Sequence, residues 1–429
     1  MENKALHRAN VVWTNFCRFA LGIVFIFSGF VKADDPYGTV YKIEDYFSAF
    51  GWTDYVPSLA PLFLSCLMAV LEFTLGVYLF FGIRKKLTSI ATALVMLLMT
   101  PFTLYLALAN PVSDCGCFGD AIVLTNWETF WKNVLLLFFA LWLYFNNSLI
   151  LRFISKKSQW LISLYSILYS VSVVAYCIIY LPIFDFRPYY VGANIRQQME
   201  IPEGEEPPVY ETTFILEKDG VRKEFTLDNY PDSTWTFIDS KTSVKQEGYV
   251  PPIIDFALRS LDTDEDVTQQ ILDDEGYTFL LIAPYLNIAD DSSIDLINEI
   301  YDYSVENGYP FYCVTSSSSD ADIEQWKDRT GAEYPYLVAD DVMLKTMIRS
   351  NPGLMLLKGG TIINKWSNQN LPDEYVLNGR LENIPLGEIQ TMQLNQRILG
   401  VFLWFFVPLL LFTMTDNLYR WIRRRRMRA

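Results

Sequence analysis

Six long apolar runs separated by polar stretches organise this chain. They cover residues 11–33, 59–81, 87–109, 127–145, 160–184 and, after a long polar region, 398–414. The first is long enough for a helix to cross a hydrocarbon core of ~30 Å at about 1.5 Å per residue. Pro101 predicts a kink in the third. Trp127, Trp160 and Trp404 suit interfacial positions. Between the fifth and sixth runs the period changes. Residues 210–216 and 221–227 read as a hairpin around Asp219-Gly220. Residues 277–283 and 309–315 read as buried strands, 293–306 and 320–330 as helices, and 353–357 with 361–366 as a strand pair. Alternating strands and helices predict an α/β sandwich. The expected fold class is a membrane all-α bundle of six transmembrane helices plus an α/β soluble domain. The expected divisions are a four-helix bundle (1–150), a cytosolic loop and fifth span (151–184), a soluble domain (185–395), and a sixth span with a basic tail (396–429).

Composition agrees with this division. The chain is 51% hydrophobic, yet its net charge is -15. Apolar segments joined to an acidic soluble domain reconcile the two values. Six cysteines in 429 residues imply no disulfide-dense scaffold. The single histidine, His7, rules out histidine metal clusters and His-based triads. The acidic balance argues against a nucleic-acid partner. With six spans, Lys4 and Arg8, then Arg84, Lys85 and Lys86, then Arg152, Lys156 and Lys157, and finally Arg420 and Arg423–Arg426 fall on one side. The positive-inside rule makes that side cytosolic, with both termini. The terminal arginines also favour anionic headgroups. A first run of this length, with Arg18 inside it and no small-residue cleavage motif, reads as a span rather than a signal peptide.

The opposite side then holds residues 34–58, the acidic domain, and the loop Asp114, Cys115, Gly116, Cys117, Phe118, Gly119, Asp120. On an oxidising side, Cys115 and Cys117 can form or exchange a disulfide. Gly116 relieves the small ring, and strained exposed disulfides are the labile ones. The alternative is a static disulfide or a pair of capped thiols. Asp114 and Asp120 beside the thiols leave a metal site incomplete. Cys17, Cys66 and Cys177 lie within spans, where apolar surroundings make a thiol inert. Arg18 and Glu72 also lie within spans, where ionisable groups are paired or functional. Counted from the cytosolic ends, their depths predict a buried Arg18–Glu72 pair. Residues 34–58 carry Tyr46, Phe47, Phe50 and Trp52; they form either an interfacial helix or a lid over the Cys115 loop.

Residues 17–33 (CRFALGIVFIFSGFVKA), 71–86 (LEFTLGVYLFFGIRKK) and 114–120 (DCGCFGD) resemble the DoxX/MauE superfamily of four-helix membrane proteins. The resemblance covers the first 150 residues or so and implies a redox-associated protein, with Cys115 and Cys117 as the exchanging pair. It also raises the reading of Lys32, which ends the first span in SGFVK, as a cation that stabilises a thiolate. For MauE it implies maturation of a disulfide-rich periplasmic client. The overall arrangement resembles Bacteroidetes membrane proteins, which implies a bacterial inner membrane with the large domain periplasmic. The soluble region resembles thioredoxins and peroxiredoxins, through Pro252–Leu258 and through Asn351-Pro352 before a strand pair, where that fold places a cis-proline. It departs from them after the strand ending at Ala283. Pro284, Tyr285, Leu286 and Asn287 stand where a thioredoxin carries CxxC, and Cys313 lies in an apolar strand. The expected activity is thiol–disulfide exchange at Cys115 and Cys117, with Lys32, Asp114, Asp120, Arg18 and Glu72 in support. No cofactor is certain; a quinone acceptor is a conjecture without a dedicated motif. The expected partners are the lipid bilayer and a thiol-containing periplasmic client. The rival reading is a non-enzymatic scaffold whose thioredoxin-like domain binds a client.

Overall fold

The computed structural model describes residues 2–112, 114–218, 221–232, 234–246 and 248–427. The first five long helices are α1 (Glu2–Asp34), α3 (Ala60–Phe81), α4 (Lys85–Ala109), α5 (Asn126–Asn146) and α6 (Gln159–Ile179), with the shorter α2 (Pro36–Ala49) between α1 and α3. The lobe that follows contains α7 (Ile195–Met199), β1 (Val209–Lys218), β2 (Val221–Thr226), β3 (Thr236–Gln246), β4 (Arg259–Ser260), α8 (Thr268–Asp273), β5 (Tyr277–Ile282), α9 (Ile294–Asn307), β6 (Phe311–Thr315), α10 (Asp320–Thr330), β7 (Tyr336–Val338), α11 (Asp341–Met347), β8 (Gly353–Lys358) and β9 (Thr361–Ser367). The last helix, α12, runs from Thr391 to Arg426.

Five helices among the described residues are long and apolar enough to cross a membrane: α1, α3, α4, α6 and α12. The region expected as the fourth span, 127–145, forms α5, of matching length. It falls outside that set because its first two turns carry Glu128, Lys132 and Asn133. The fifth helix ends at Ile179 rather than at residue 184. The Asp34 carboxylate accepts from the Ile183 and Phe184 N–H groups, at 3.0 and 3.2 Å. That gives a non-helical partner to amides a longer helix would have used.

The packing of α1 on α3 depends on small residues. A Cβ on Gly29 would stand 2.2 Å from Phe73 N, and one on Gly76 would stand 2.5 Å from Ile26 N. Only glycine admits such an approach, and it is what brings the side chains of these two helices into register. α12 packs much less closely: only 11% of its apolar window is buried. It is held to the bundle at its far end, where Asp416 accepts from Ser155 and Ser158 hydroxyls at 2.6 and 2.7 Å.

The loop pattern gives the bundle two unlike ends. Leu151 N donates to Asn15, Lys85 to Ser148 O, and Arg420 to Phe153 O, so the basic connections gather together. At the other end lie α2, the Cys115–Cys117 loop and the lobe.

The lobe holds two sheets. β2, β1 and β3 form an antiparallel three-stranded sheet. The sequence reading anticipates its first two strands; the expected Asp219-Gly220 turn lies outside the described residues. The larger sheet has the order β4-β7-β6-β5-β8-β9, with β5, β6 and β7 parallel and β8 antiparallel to β5. All of β5 is buried, and its alternate residues serve two cores. Phe279 and Leu281 face α9 and α10, including Ile300 and Trp326. Leu280 and Ile282 face α8 and α11, including Leu272 and Leu344. Such a continuous apolar strand is what a sheet covered on both faces requires. Cys313 is one of these core residues, as expected, and burial pushes its thiol up. The Asn351–Pro352 bond is cis and leads into β8.

Candidate functional site

The site is built around a loop between α4 and α5. Gly116 takes φ +64, a conformation that glycine adopts without steric cost, and this lets the chain fold back between the two cysteines. Their sulfurs face each other at 2.9 Å. The loop is tied at several points. Asp114 accepts from Gly116 N at 2.8 Å and pairs with Lys42 of α2 at 2.7 Å. Tyr46 of α2 donates to the Cys115 carbonyl at 3.0 Å. α2 therefore lies against the loop.

On the membrane side the loop rests on a buried ion pair. Lys32, 5% exposed, donates to Glu72 Oε2 at 2.8 Å, to Ser28 Oγ at 2.7 Å and to the Cys117 carbonyl at 2.7 Å. All three ammonium protons are used, as a buried charge requires. Ser28 in turn donates to Glu72 at 2.7 Å. Phe118 packs on Phe27, with ring centroids 5.4 Å apart, and receives Lys132 of α5 over its face at 4.1 Å.

This corrects the expected Arg18–Glu72 pair. Glu72 pairs with Lys32, while Arg18 contacts the Leu151 carbonyl and lies over Phe19 and Phe153, at 4.4 and 5.0 Å. Ten residues of α1 separate Ser28, which touches Glu72, from Arg18, roughly 15 Å of helix. Arg18 therefore belongs to the basic end and Glu72 to the thiol end.

The lobe reaches the same loop. Arg349, 6% exposed, donates to Asp35 from Nε at 3.0 Å and from Nη2 at 2.9 Å, and to Asp120 at 3.3 Å. Its guanidinium lies 5.2 Å from the Tyr41 ring of α2, as does the ammonium of Lys345. Burial opposes ionisation of Asp35, but Arg349 outweighs it and holds the carboxyl below its ordinary value. At Asp120 burial wins and the carboxyl is raised. Behind this contact, half-buried Asp185 pairs with the buried Arg187 and Lys365 side chains, at 2.8 and 2.7 Å.

The two thiols differ. The contact between the two sulfurs stabilises a thiolate on one of them, lowering Cys117 and raising Cys115. Burial of Cys117 opposes its ionisation, Lys132 and Lys32 favour it, and Glu72 opposes it. Among the described residues, no group of three or more His, Cys, Asp or Glu is placed to hold a metal ion.

Of the residues singled out from sequence, the structure joins Cys115, Cys117, Lys32, Glu72, Asp114 and Asp120, and leaves out Arg18. It adds Ser28, Asp35, Lys42, Tyr46, Lys132 and Arg349. Two of these carried a prior signal: Ser28 within the SGFVK stretch, and the Tyr46 segment through its aromatic pattern.

Residues 9–146 match the family described as methylamine utilisation protein MauE. The bundle is MauE-like. With the apolar helices, the match makes this a multi-pass membrane protein. The match includes the whole thiol loop and the Lys32–Glu72 pair, and ends before the lobe. Residues 210–247, which hold β1, β2 and β3, match a domain of unknown function, DUF8463. A comparison with curated proteins gives no match. Among solved structures, the chain is similar to an uncharacterized conserved protein from Geobacillus kaustophilus, at 14% identity and a TM-score of 0.24. That similarity covers 31% of this chain and 80% of the other, and carries no argument. The MauE-like bundle thus presents its paired thiols beneath α2 and a lobe bound by Arg349.

Proposed function

We propose that this accessory protein of the membrane performs thiol–disulfide exchange through Cys115 and Cys117. The observation that carries the reading is the facing thiol pair, 2.9 Å apart, in a loop held by a Lys32 hydrogen bond from α1 and by ion pairs from α2 and the lobe. A loop serving only as a connection has no need of a lowered Cys117 beside two lysines. We place six spans in a bacterial inner membrane, with the basic end cytosolic and the thiols and lobe periplasmic. Support comes from the gathering of basic loops at one end.

The lobe is read as thioredoxin-like, on the order β6-β5-β8-β9 with β8 and β9 antiparallel. Without cysteine at Pro284–Asn287, it does not exchange thiols itself. Its end near Tyr285 and Asn351 is turned to α2 through Lys345 and Arg349. This favours a covering role over client capture at that end. A membrane quinone is the proposed acceptor. An apolar cleft of about 600 Å³ between α1, α3 and α12 includes Phe27 and Val31, and Phe27 packs against Phe118 of the thiol loop.

Trapping tests the reading. With a small aromatic disulfide, Cys115→Ser is expected to hold a mixed disulfide at Cys117, while the wild type resolves it to an internal disulfide. Mass spectrometry of the alkylated protein reads both. If neither single-cysteine variant captures the reagent, or if labelling from outside intact cells never reaches the loop, the proposal is wrong and the scaffold reading stands.

A further inference from the structure

A small chamber lies under the thiol loop, about 60 Å³ in volume, between α1, α3, α4 and α5. Cys117 and Phe118 line it from the loop, with Ser28 and Lys32 from α1, Glu72 from α3, and Lys132 and Asn133 from α5. Lys132 makes no ion pair among the described residues; its ammonium rests on the Phe118 ring. The formal charges are therefore two lysines against one glutamate. A Cys117 thiolate makes the chamber neutral, and its loss leaves one uncompensated positive charge. Such a charge at membrane depth is costly and is met by a partner.

Exchange removes that thiolate. In the reduced form, Cys115–SH and Cys117–S⁻ meet a disulfide RSSR. The S–S bond of RSSR breaks and one forms between Cys115 and Cys117; two electrons pass to the reagent, which leaves as RSH and RS⁻, taking the Cys115 proton. The negative charge has left the chamber. We propose that the oxidised protein binds one small monovalent anion, of halide size, against Lys132 in this chamber, and that reduction expels it. The volume admits one such ion with a water or two and excludes an aromatic headgroup.

Other charged groups packed around Cys117 are already engaged outside the chamber. Lys42 of α2 pairs with Asp114, and Arg349 of the lobe pairs with Asp120 and Asp35. Tyr46 of α2 keeps its proton, because burial and the nearby Cys115 raise it. Cys115 faces Cys117, sulfur to sulfur.

The inference rests on the exchange reading, and the test separates the two. The potential of the Cys115–Cys117 pair is measured on the full-length protein in detergent, against a glutathione couple. Chloride is varied at constant ionic strength with gluconate. Where Cys117 is ionised in the reduced form, one proton accompanies two electrons, so the potential falls by about 30 mV per pH unit. Once the site fills, each tenfold rise in chloride lowers it by about 30 mV more. In Lys132→Met, or Lys132→Gln should the first fold poorly, the chloride dependence disappears and the pH slope doubles. A potential indifferent to chloride in the wild type overturns the anion site. A pair that the glutathione couple never oxidises overturns the exchange reading instead.

Discussion

Lys32→Met is expected to lower the stability of the bundle by about 3–5 kcal/mol, the usual cost of removing one partner from a buried ion pair. The loss exceeds that of a surface pair because both charges are withdrawn from water: Lys32 is 5% and Glu72 17% exposed. The variant leaves Glu72 with only the Ser28 hydroxyl and strips the Cys117 carbonyl of its ammonium donor. Denaturant unfolding in micelles, followed by tryptophan fluorescence, measures it. Lys32→Met combined with Glu72→Gln is expected to recover more than half of the loss, because the second change removes the stranded charge. A single variant within about 0.5 kcal/mol of wild type, in the range of a surface substitution, would show that the pair is solvated and not buried.

The second large effect is at Arg349. Arg349→Ala is expected to weaken docking of the lobe by about 3–5 kcal/mol, since Asp35 then remains in a closed interface without its cation. Hydrogen exchange reports it: amides of α2 and of residues 114–120 should lose protection together, while those of β5 and β6 keep theirs. Equal loss in the lobe core would mean that Arg349 supports the fold of the lobe and not its docking. Acid should mimic the variant. The docked Asp35 carboxyl is held below its ordinary value, so its contribution is complete above about pH 4, the free aspartate range, and fades as pH falls through the docked value. Asp120, raised by burial, works in the opposite sense and favours docking as it takes up a proton. Release is therefore expected only where Asp35 itself becomes protonated.

These two contacts show where sequence reading works and where it stops. The apolar helices are legible because their signal is local: an unbroken run of apolar residues has few alternatives. The paired thiols stand out for the same reason, being two residues apart. β3 is harder to read, since Thr236–Gln246 is mostly polar and pairs with β1 as an edge of a small sheet. Arg349 and Asp35 are separated by 314 positions, and no spacing rule joins them. Lys132 is invisible for another reason: on α5 it resembles an interfacial lysine until Phe118 is seen beneath it. The mistaken Arg18–Glu72 pair arose from counting depth from assumed span ends. α1 begins at Glu2, and the crossing with α3 is set by Gly29 against Phe73, a contact that run lengths do not encode.

The clasp of Asp416 on Ser155 and Ser158 bears on how the lobe can ever come away. The lobe hangs between α6 and α12, and that clasp fixes the two helices to each other at the opposite membrane face. A lobe freed from Arg349 therefore stays on a short double tether, at an effective concentration in the millimolar range. Recapture is then fast and independent of protein concentration. A lobe supplied as a separate fragment would have to be present at millimolar levels to compete with the covalently attached one.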